Sequence, residues 1–345
     1  MKPYKLVLTG FGSVGWHVAD LLFQRRERYA TLFGADVQIV AVCGSRGGLY
    51  DPNGLSPDTL LPLTKANGGL TASARMEEAY TGVRFLSQCD ADGLVEAGPT
   101  DFVTGGSGYL YLKTALEQGM DAITLSKGAL VLDYPGLARL SRKQRAFLKI
   151  SGATAAALPT VDLIQYNLAG CEVAEMTGIF TGTTNFILTA MWEEGLPYEL
   201  ALREAQNRGI AEPDPAFDVE GWDTACKLTI LANAAFGAEM SLSEIKRTGI
   251  SGLTGEQMEE WRRQGLVPKL VGRILRQTGQ IAAEVNVVLY PFDHPFAQVK
   301  GATKAVQVRT DVMGELLVVG GKSDPRAAAA AALKDLEHIL ERRFH

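Results

Sequence analysis

Along the first 150 residues, short apolar runs alternate with stretches in which apolar positions recur every three or four residues. Leu6, Val7 and Leu8 form such a run between Lys5 and Thr9; it ends in Gly10-Phe11-Gly12-Ser13-Val14-Gly15, after which Val14, Val18, Leu21 and Leu22 mark one helical face. This is strand, tight turn, helix. A second strand is predicted from Val37 to Cys43, then a polar loop through Asp51 and Gly54, helical only around Arg75 to Tyr80. Further strands are predicted at Gly93 to Ala97 and Asp121 to Leu125, with a helix from Tyr109 to Gln118 between them that Gly119 stops. A helix from Tyr134 to Phe147 closes the region. Strand and helix alternating at this spacing predict an α/β domain over residues 1–150 with a doubly wound parallel sheet.

After Pro159 the pattern changes. A helix is predicted from Val161, a strand from Val173 to Phe180, a helix from Thr184 and another from Tyr198 to Arg208. Strand patterns then cluster at 281–290, 304–310 and 315–320, which predicts an α+β domain with its own sheet over 151–310, whose strands need cover for any face the helices leave open, as a second copy would give. The alanine-rich stretch from Arg326 to Leu340 is a helix by propensity, and 311–345 is expected to pack a strand and this helix back on the nucleotide domain.

Composition narrows the partners. The 345 residues are 46% hydrophobic and 21% charged, as in globular chains of two domains. A net charge of −5 offers no attraction to nucleic acid or an anionic membrane, so a small-molecule ligand is expected. The start of the chain lacks a signal-peptide pattern and no apolar run approaches the ~20 residues of a membrane span, so a cytoplasmic protein is expected. Cys43, Cys89, Cys171 and Cys226 are scattered without a C-x-x-C pair, which argues against zinc and against a disulfide framework.

The glycines of the first turn match G-x-G-x-x-G between a strand and a helix, the context in which backbone N–H groups can approach a pyrophosphate. Residues 10–15 are therefore assigned to a dinucleotide in a Rossmann domain. An acidic residue at the end of the second strand would read a ribose 2′-hydroxyl, but the strand runs into Gly44, Ser45 and Arg46. Ser45 and Arg46 suit a 2′-phosphate, so NADP is preferred, with NAD as the alternative.

The densest chemistry lies in Gly182-Thr183-Thr184-Asn185, followed by Ala211-Glu212, Asp214-Pro215 and Asp218, Gly221, Asp223 and Lys227. Asp223 and Lys227 are four apart on a predicted helix and share a face, either as a solvated ion pair or as a working pair; Ala225, Leu228, Ile230 and Leu231 around them favour the second. A carbonyl reductase needs a proton donor for the developing alkoxide, and a lysine can serve.

In this order and spacing the segments resemble the homoserine dehydrogenase family, with its G-T-T-N turn, A-E-x-D-P and D-x-x-G-x-D-x-x-x-K. The likeness extends to Glu96 through Thr100, to Ser126-Lys127-Gly128, to Leu158-Pro159, and to Gly249 and Lys269. It implies a short form without the ACT domain, acting on an amino-acid substrate as a homodimer. By resemblance Lys127, Lys227 and Asp223 are catalytic, with Lys127 and Thr100 also beside the cofactor. Gly182 and Thr183 would bind substrate through backbone and hydroxyl donors, and Glu212 and Asp218 would take its ammonium. The implied reaction is reduction of L-aspartate 4-semialdehyde to L-homoserine; the alternatives are another small amino-aldehyde or hydroxy acid, or a silent NADP-binding homologue.

The chain departs from the family at Ser126 and Ile210, where Asn and Tyr are usual. Ser151 replaces a Glu that helps the family hold a monovalent cation, so no metal is assigned. Lys304-Ala305 stands for Asn-Ala, and Gly320 to Pro325 replaces a glycine-rich turn that approaches the nicotinamide.

Overall fold

The computed structural model describes residues 1–277, 279–321 and 323–345 and contains two units, Met1–Ala157 with Asp324–His345, and Leu158–Ser323. The first unit runs β1 (Lys2–Thr9), α1 (Ser13–Gln24), α2 (Arg26–Phe33), β2 (Ala35–Cys43), β3 (Gly48–Tyr50), α3 (Pro57–Leu60), α4 (Gly82–Leu86), β4 (Gly93–Glu96), α5 (Gly106–Glu117), β5 (Asp121–Thr124), α6 (Gly128–Gln144), β6 (Leu148–Lys149) and α7 (Ser151–Thr154). Its sheet has the order β3-β2-β1-β4-β5-β6, parallel except for β3. Leu6, Val7 and Leu8 are all buried, as a parallel strand covered on both faces requires. The chain leaves β1 for β2 on one side and later returns to β4 on the other. The carboxyl ends of β1 and β4 therefore form the switch point where such sheets take a ligand.

One local expectation is corrected, and another gains a preceding helical segment. Arg75 to Tyr80 is not helical: Glu77 makes an isolated bridge with Gly48, and Tyr80 packs on Tyr50 and Phe85, so the short helix falls at Gly82–Leu86 instead. The helix expected from Tyr134 is present after non-helical Asp133, and a further helical segment from Gly128 precedes it within α6. Pro135 cannot continue a helix, and the Asp133 carboxylate accepts the Gly136 N–H at 2.8 Å, restarting it.

The helix Pro325–Phe344 completes the first unit. Asp324 caps it through the Ala327 N–H at 2.8 Å, and Ala332, Leu333, Leu336 and Leu340 enter the core that holds Val18, Leu21 and Leu22. Near its end the Arg343 guanidinium meets buried Asp121 at 2.7 and 3.0 Å, where Tyr4 Oη and the Phe147 N–H also donate. The strand expected to accompany this helix does not: Glu315–Gly320 pairs in the second sheet, so the junction falls at 324 rather than 311, and the earlier one after 157 rather than 150.

The second unit holds β7 (Val173–Ile179), α8 (Gly182–Glu194), α9 (Tyr198–Asn207), α10 (Ala216–Val219), α11 (Trp222–Ala235), β8 (Lys246–Arg247), α12 (Gly255–Arg263), β9 (Leu266–Gln277), β10 (Gln280–Pro291), β11 (Lys304–Thr310) and β12 (Glu315–Gly320). The helix expected from Val161 starts there but continues after Asp162 as a π turn, Leu163–Asn167. The mixed sheet has the order β12-β11-β7-β9-β10-β8. The central strand β9 breaks the expected apolar alternation with Pro268, Lys269 and Gly272. Pro268 is tolerated because β7 pairs only with Arg273 and its neighbours on one side, leaving that flank of Pro268 without a ladder partner. Gly272 is needed because α11 lies close: a Cβ there would sit 2.8 Å from Thr224 and 3.0 Å from Leu228. Among the described residues no helix is long and apolar enough to cross a membrane.

Candidate active site

In the first unit, Gly10 has φ +82°, and a Cβ on it would lie 2.5 Å from the backbone of Ala97 and Gly98; one on Gly15 would lie 2.0 Å from the Gly10 carbonyl oxygen. Gly12, by contrast, opens on clear space. It is the N-cap of α1, which has no side-chain cap and no acid in its first turn, so the positive helix end and its N–H groups are left for an anion. This cradle fits a dinucleotide pyrophosphate. Ser13 is exposed and Val14 half-buried beside it, whereas the Phe11 ring turns into the core and leaves only its backbone to the cradle. Ser45 and Arg46 are exposed on the turn after β2, and Arg46 makes no ion pair with a described residue. Asp36, at the opposite end of β2, is bound by Arg26.

Lys127 is the N-cap of α6, half-buried, and its N–H donates to Thr100 Oγ1 at 3.5 Å. Beneath it lies a residue to which the sequence reading gave no role. Glu96 is only 1% exposed at the end of β4. Its Oε2 accepts from Thr124 Oγ1 at 2.7 Å and Ser126 Oγ at 2.6 Å, and its Oε1 accepts from the Gly98 N–H at 2.8 Å. Burial pushes the carboxyl pKa up while these bonds oppose the rise. A charged residue closing the apolar run Gly93-Leu94-Val95 was the available signal.

In the second unit, Gly221 at φ +78° turns the chain into α11, placing Asp223 in the first turn where the helix favours a carboxylate. Lys227 Nζ donates to Asp223 Oδ2 at 2.5 Å and to the Phe180 carbonyl at 2.8 Å, and Thr181 Oγ1 donates to the same Asp223 oxygen at 2.8 Å. The two side chains are 12% and 10% exposed, so this is a desolvated pair and not a solvated surface one. The third ammonium proton of Lys227 has no acceptor among the described residues.

Gly182 opens α8 beside this pair, pressed against the Ala302 carbonyl so closely that a Cβ would lie 2.7 Å from it. The Thr183 hydroxyl donates to the Ile210 carbonyl at 3.1 Å, which leaves the backbone N–H groups of the uncapped α8 terminus as the donors here. Glu212 is exposed on the following loop and Asp218 half-buried on α10, which packs on α8 and α11. Lys269 is almost fully buried and donates to Asn185 Oδ1 at 2.9 Å and the Val299 carbonyl at 2.6 Å; Asn185 Nδ2 donates to the carbonyls of Val299 and Thr303. Lys269 thus ties the start of α8 to the segment that presses on Gly182.

The departures have definite places. Ser151 donates its hydroxyl and its N–H to the two oxygens of buried Asp335, at 2.7 and 3.0 Å. Lys304 is buried opposite Gly320 at the start of β11, and Lys322 lies outside the described residues.

A glycine cradle on one unit and a desolvated lysine–aspartate pair on the other define an NAD(P)-dependent oxidoreductase built on two α/β units. Residues 159–336 match the homoserine dehydrogenase family model. The chain is 32% identical to the homoserine dehydrogenase of Methanocaldococcus jannaschii, covering 97% of this chain and 98% of that protein. It is 33% identical to the NAD(+)-dependent homoserine dehydrogenase of Pseudomonas canavaninivorans, over 98% and 97%. The crystal structure of a candidate homoserine dehydrogenase from Archaeoglobus fulgidus superposes with a TM-score of 0.88 at 33% identity, covering 98% of this chain and 99% of that one. The chain belongs to the homoserine dehydrogenase family.

Burial lowers the Lys269 pKa from 10.5 to about 8. Below pH 8 the ammonium is charged in both folded and unfolded chains; between 8 and 10.5 the folded chain loses the proton first, so stability rises across that window. At roughly 1.4 kcal/mol per unit the gain is about 3 kcal/mol relative to Lys269→Met. Urea unfolding of both proteins at pH 7.5 and 10.5 measures it; a difference independent of pH would contradict the buried charge.

Proposed function

We propose that this chain is a cytoplasmic homoserine dehydrogenase, reducing L-aspartate 4-semialdehyde to L-homoserine reversibly with NADPH. The observation that carries the reading is the desolvated Asp223–Lys227 pair with one ammonium proton left for a ligand. The nicotinamide, when bound, supplies or accepts the hydride. Lys227 donates to the aldehyde oxygen and provides a proton as the alkoxide develops. Asp223, itself held by Thr181, fixes the ammonium in place. Lys127, at the head of α6, adds a second donor beside the cofactor. The N–H groups of Gly182 and Thr183 at the α8 terminus receive the substrate carboxylate, and Glu212 and Asp218 accept from its ammonium.

The open face of the second sheet supports a homodimer. Glu175 is bracketed there by Arg273 at 2.6 Å and Arg309 at 2.7 Å, and Leu317 and Val319 stand exposed on the same side. Apolar strand residues left in water beside an ion-pair network favour a second copy.

Lys227→Ala, Lys127→Ala and Asp223→Ala are each expected to lower kcat by on the order of 10²–10⁴-fold, with dinucleotide affinity little changed for the α11 pair. Glu212→Ala is expected to raise KM. Initial rates at 340 nm with homoserine and NADP measure both; near-normal turnover of folded Lys227→Ala would remove the catalytic assignment. For the cofactor, Arg46→Ala should weaken NADP binding by about tenfold or more and leave NAD binding close to unchanged, since one charge-assisted contact to a 2′-phosphate is lost; equal losses by fluorescence titration would sink the preference. Sedimentation at micromolar concentration should return a dimer, and a fully active monomer would contradict it.

A further inference from the structure

Three segments meet at the carboxyl ends of the first sheet: the glycine turn after β1, the loop after β4 that carries Thr100, and the loop after β5 that carries Ser126 and Lys127. They come from distant parts of the sequence, and Glu96 touches or fixes each of them. One carboxylate oxygen takes the Gly98 N–H, and this peptide between Ala97 and Gly98 is what fills the space against Gly10. The other oxygen takes the hydroxyls of Thr124 and Ser126, immediately before Lys127. Gly108, in the first turn of α5, leaves room for the carboxylate: a Cβ there would lie 3.1 Å from Oε1. Lys127 in turn reaches the β4 loop through Thr100.

We propose that Glu96 is a positioning residue, a buried clamp that sets the two loops against the glycine turn and so fixes the dinucleotide seat and the station of Lys127. The proposal rests on the reading of Lys127 as acting beside the cofactor. The Gly98 N–H and the hydroxyls of Thr124 and Ser126 donate to it, and an apolar residue of similar size would leave the Gly98 N–H and the buried Ser126 hydroxyl without this acceptor and the Thr124 hydroxyl with only its longer bond to the Ser126 carbonyl at 3.3 Å.

The experiment compares Glu96→Ala, Glu96→Gln and Ser126→Ala with the wild type, measuring thermal stability, NADPH affinity by fluorescence titration, and kcat and KM for homoserine well below each melting temperature. Glu96→Ala is expected to weaken NADPH binding about tenfold and to lower kcat by roughly 10- to 100-fold, with KM for homoserine unchanged because the amino-acid groups lie on α8, α10 and α11. Glu96→Gln restores most of both, since its amide oxygen accepts the Gly98 N–H and its NH₂ turns to the hydroxyl oxygens. Ser126→Ala, which keeps the carboxylate and two donors, falls between them and carries the test if Glu96→Ala does not fold. Variants that lose only stability, binding NADPH and turning over as the wild type does, would overturn the clamp. The NADPH titration needs no substrate, so an enzyme without homoserine activity would refute the proposed reaction while leaving the clamp to be judged on affinity alone.

Discussion

A carboxylate taken out of water costs several kcal/mol unless donors surround it, and in this protein that requirement recurs wherever elements converge. Asp121 collects Tyr4, Phe147 and Arg343 at the start of β5; Glu96 collects Thr124, Ser126 and Gly98 at the carboxyl end of neighbouring β4; Asp335 holds Ser151 to the last helix. In the second unit Asp223 draws Thr181 from the end of β7 and Lys227 from its own helix. Each cluster joins segments that are remote in sequence. Buried charge is therefore what sets the strand ends and helix starts in register with one another, while the apolar core supplies their mutual adhesion.

The second constraint is the exclusion of side chains where backbones cross. Gly10 against Ala97 and Gly15 against Gly10 build the cradle of the first unit, and Gly182 against Ala302 opens the helix terminus of the second. Both helix starts thus present bare N–H groups, held by neighbouring backbone and not by flexible side chains, as the proposed anion positions require. A site of this kind is preorganised: little conformational freedom is lost when an anion arrives.

The legible parts of the sequence were those whose cause is local. A parallel strand buried on both faces reads as a continuous apolar run, so β1, β2, β4 and β5 could be anticipated, and Asp223 and Lys227 share a face because four residues separate them. Strand β9 was illegible because Pro268, Lys269 and Gly272 suit a strand only through partners elsewhere: a missing neighbour on one side, Asn185 and Val299 around the ammonium, α11 over the glycine. The same holds for the site. Thr181 and the Phe180 carbonyl act on Asp223 and Lys227 from across the unit, and the donors to Glu96 lie up to 30 residues away. The stretch from Arg75 to Tyr80 misled for the converse reason, since its residues favour a helix but Gly48 recruits the backbone of Glu77.

The helix Pro325–Phe344 lies in the core of a unit whose first 157 residues precede the whole of the second unit in the chain. On the ribosome, the first sheet therefore emerges without the helix that covers Val18, Leu21 and Leu22, and it waits through the synthesis of some 166 intervening residues before its core can close. The unit that starts first in the chain is thus the one whose last segment is made last. For that interval Val18, Leu21 and Leu22 on α1 lack the cover that Ala332, Leu333, Leu336 and Leu340 later give them, and such an uncovered apolar face is the kind of surface chaperones bind.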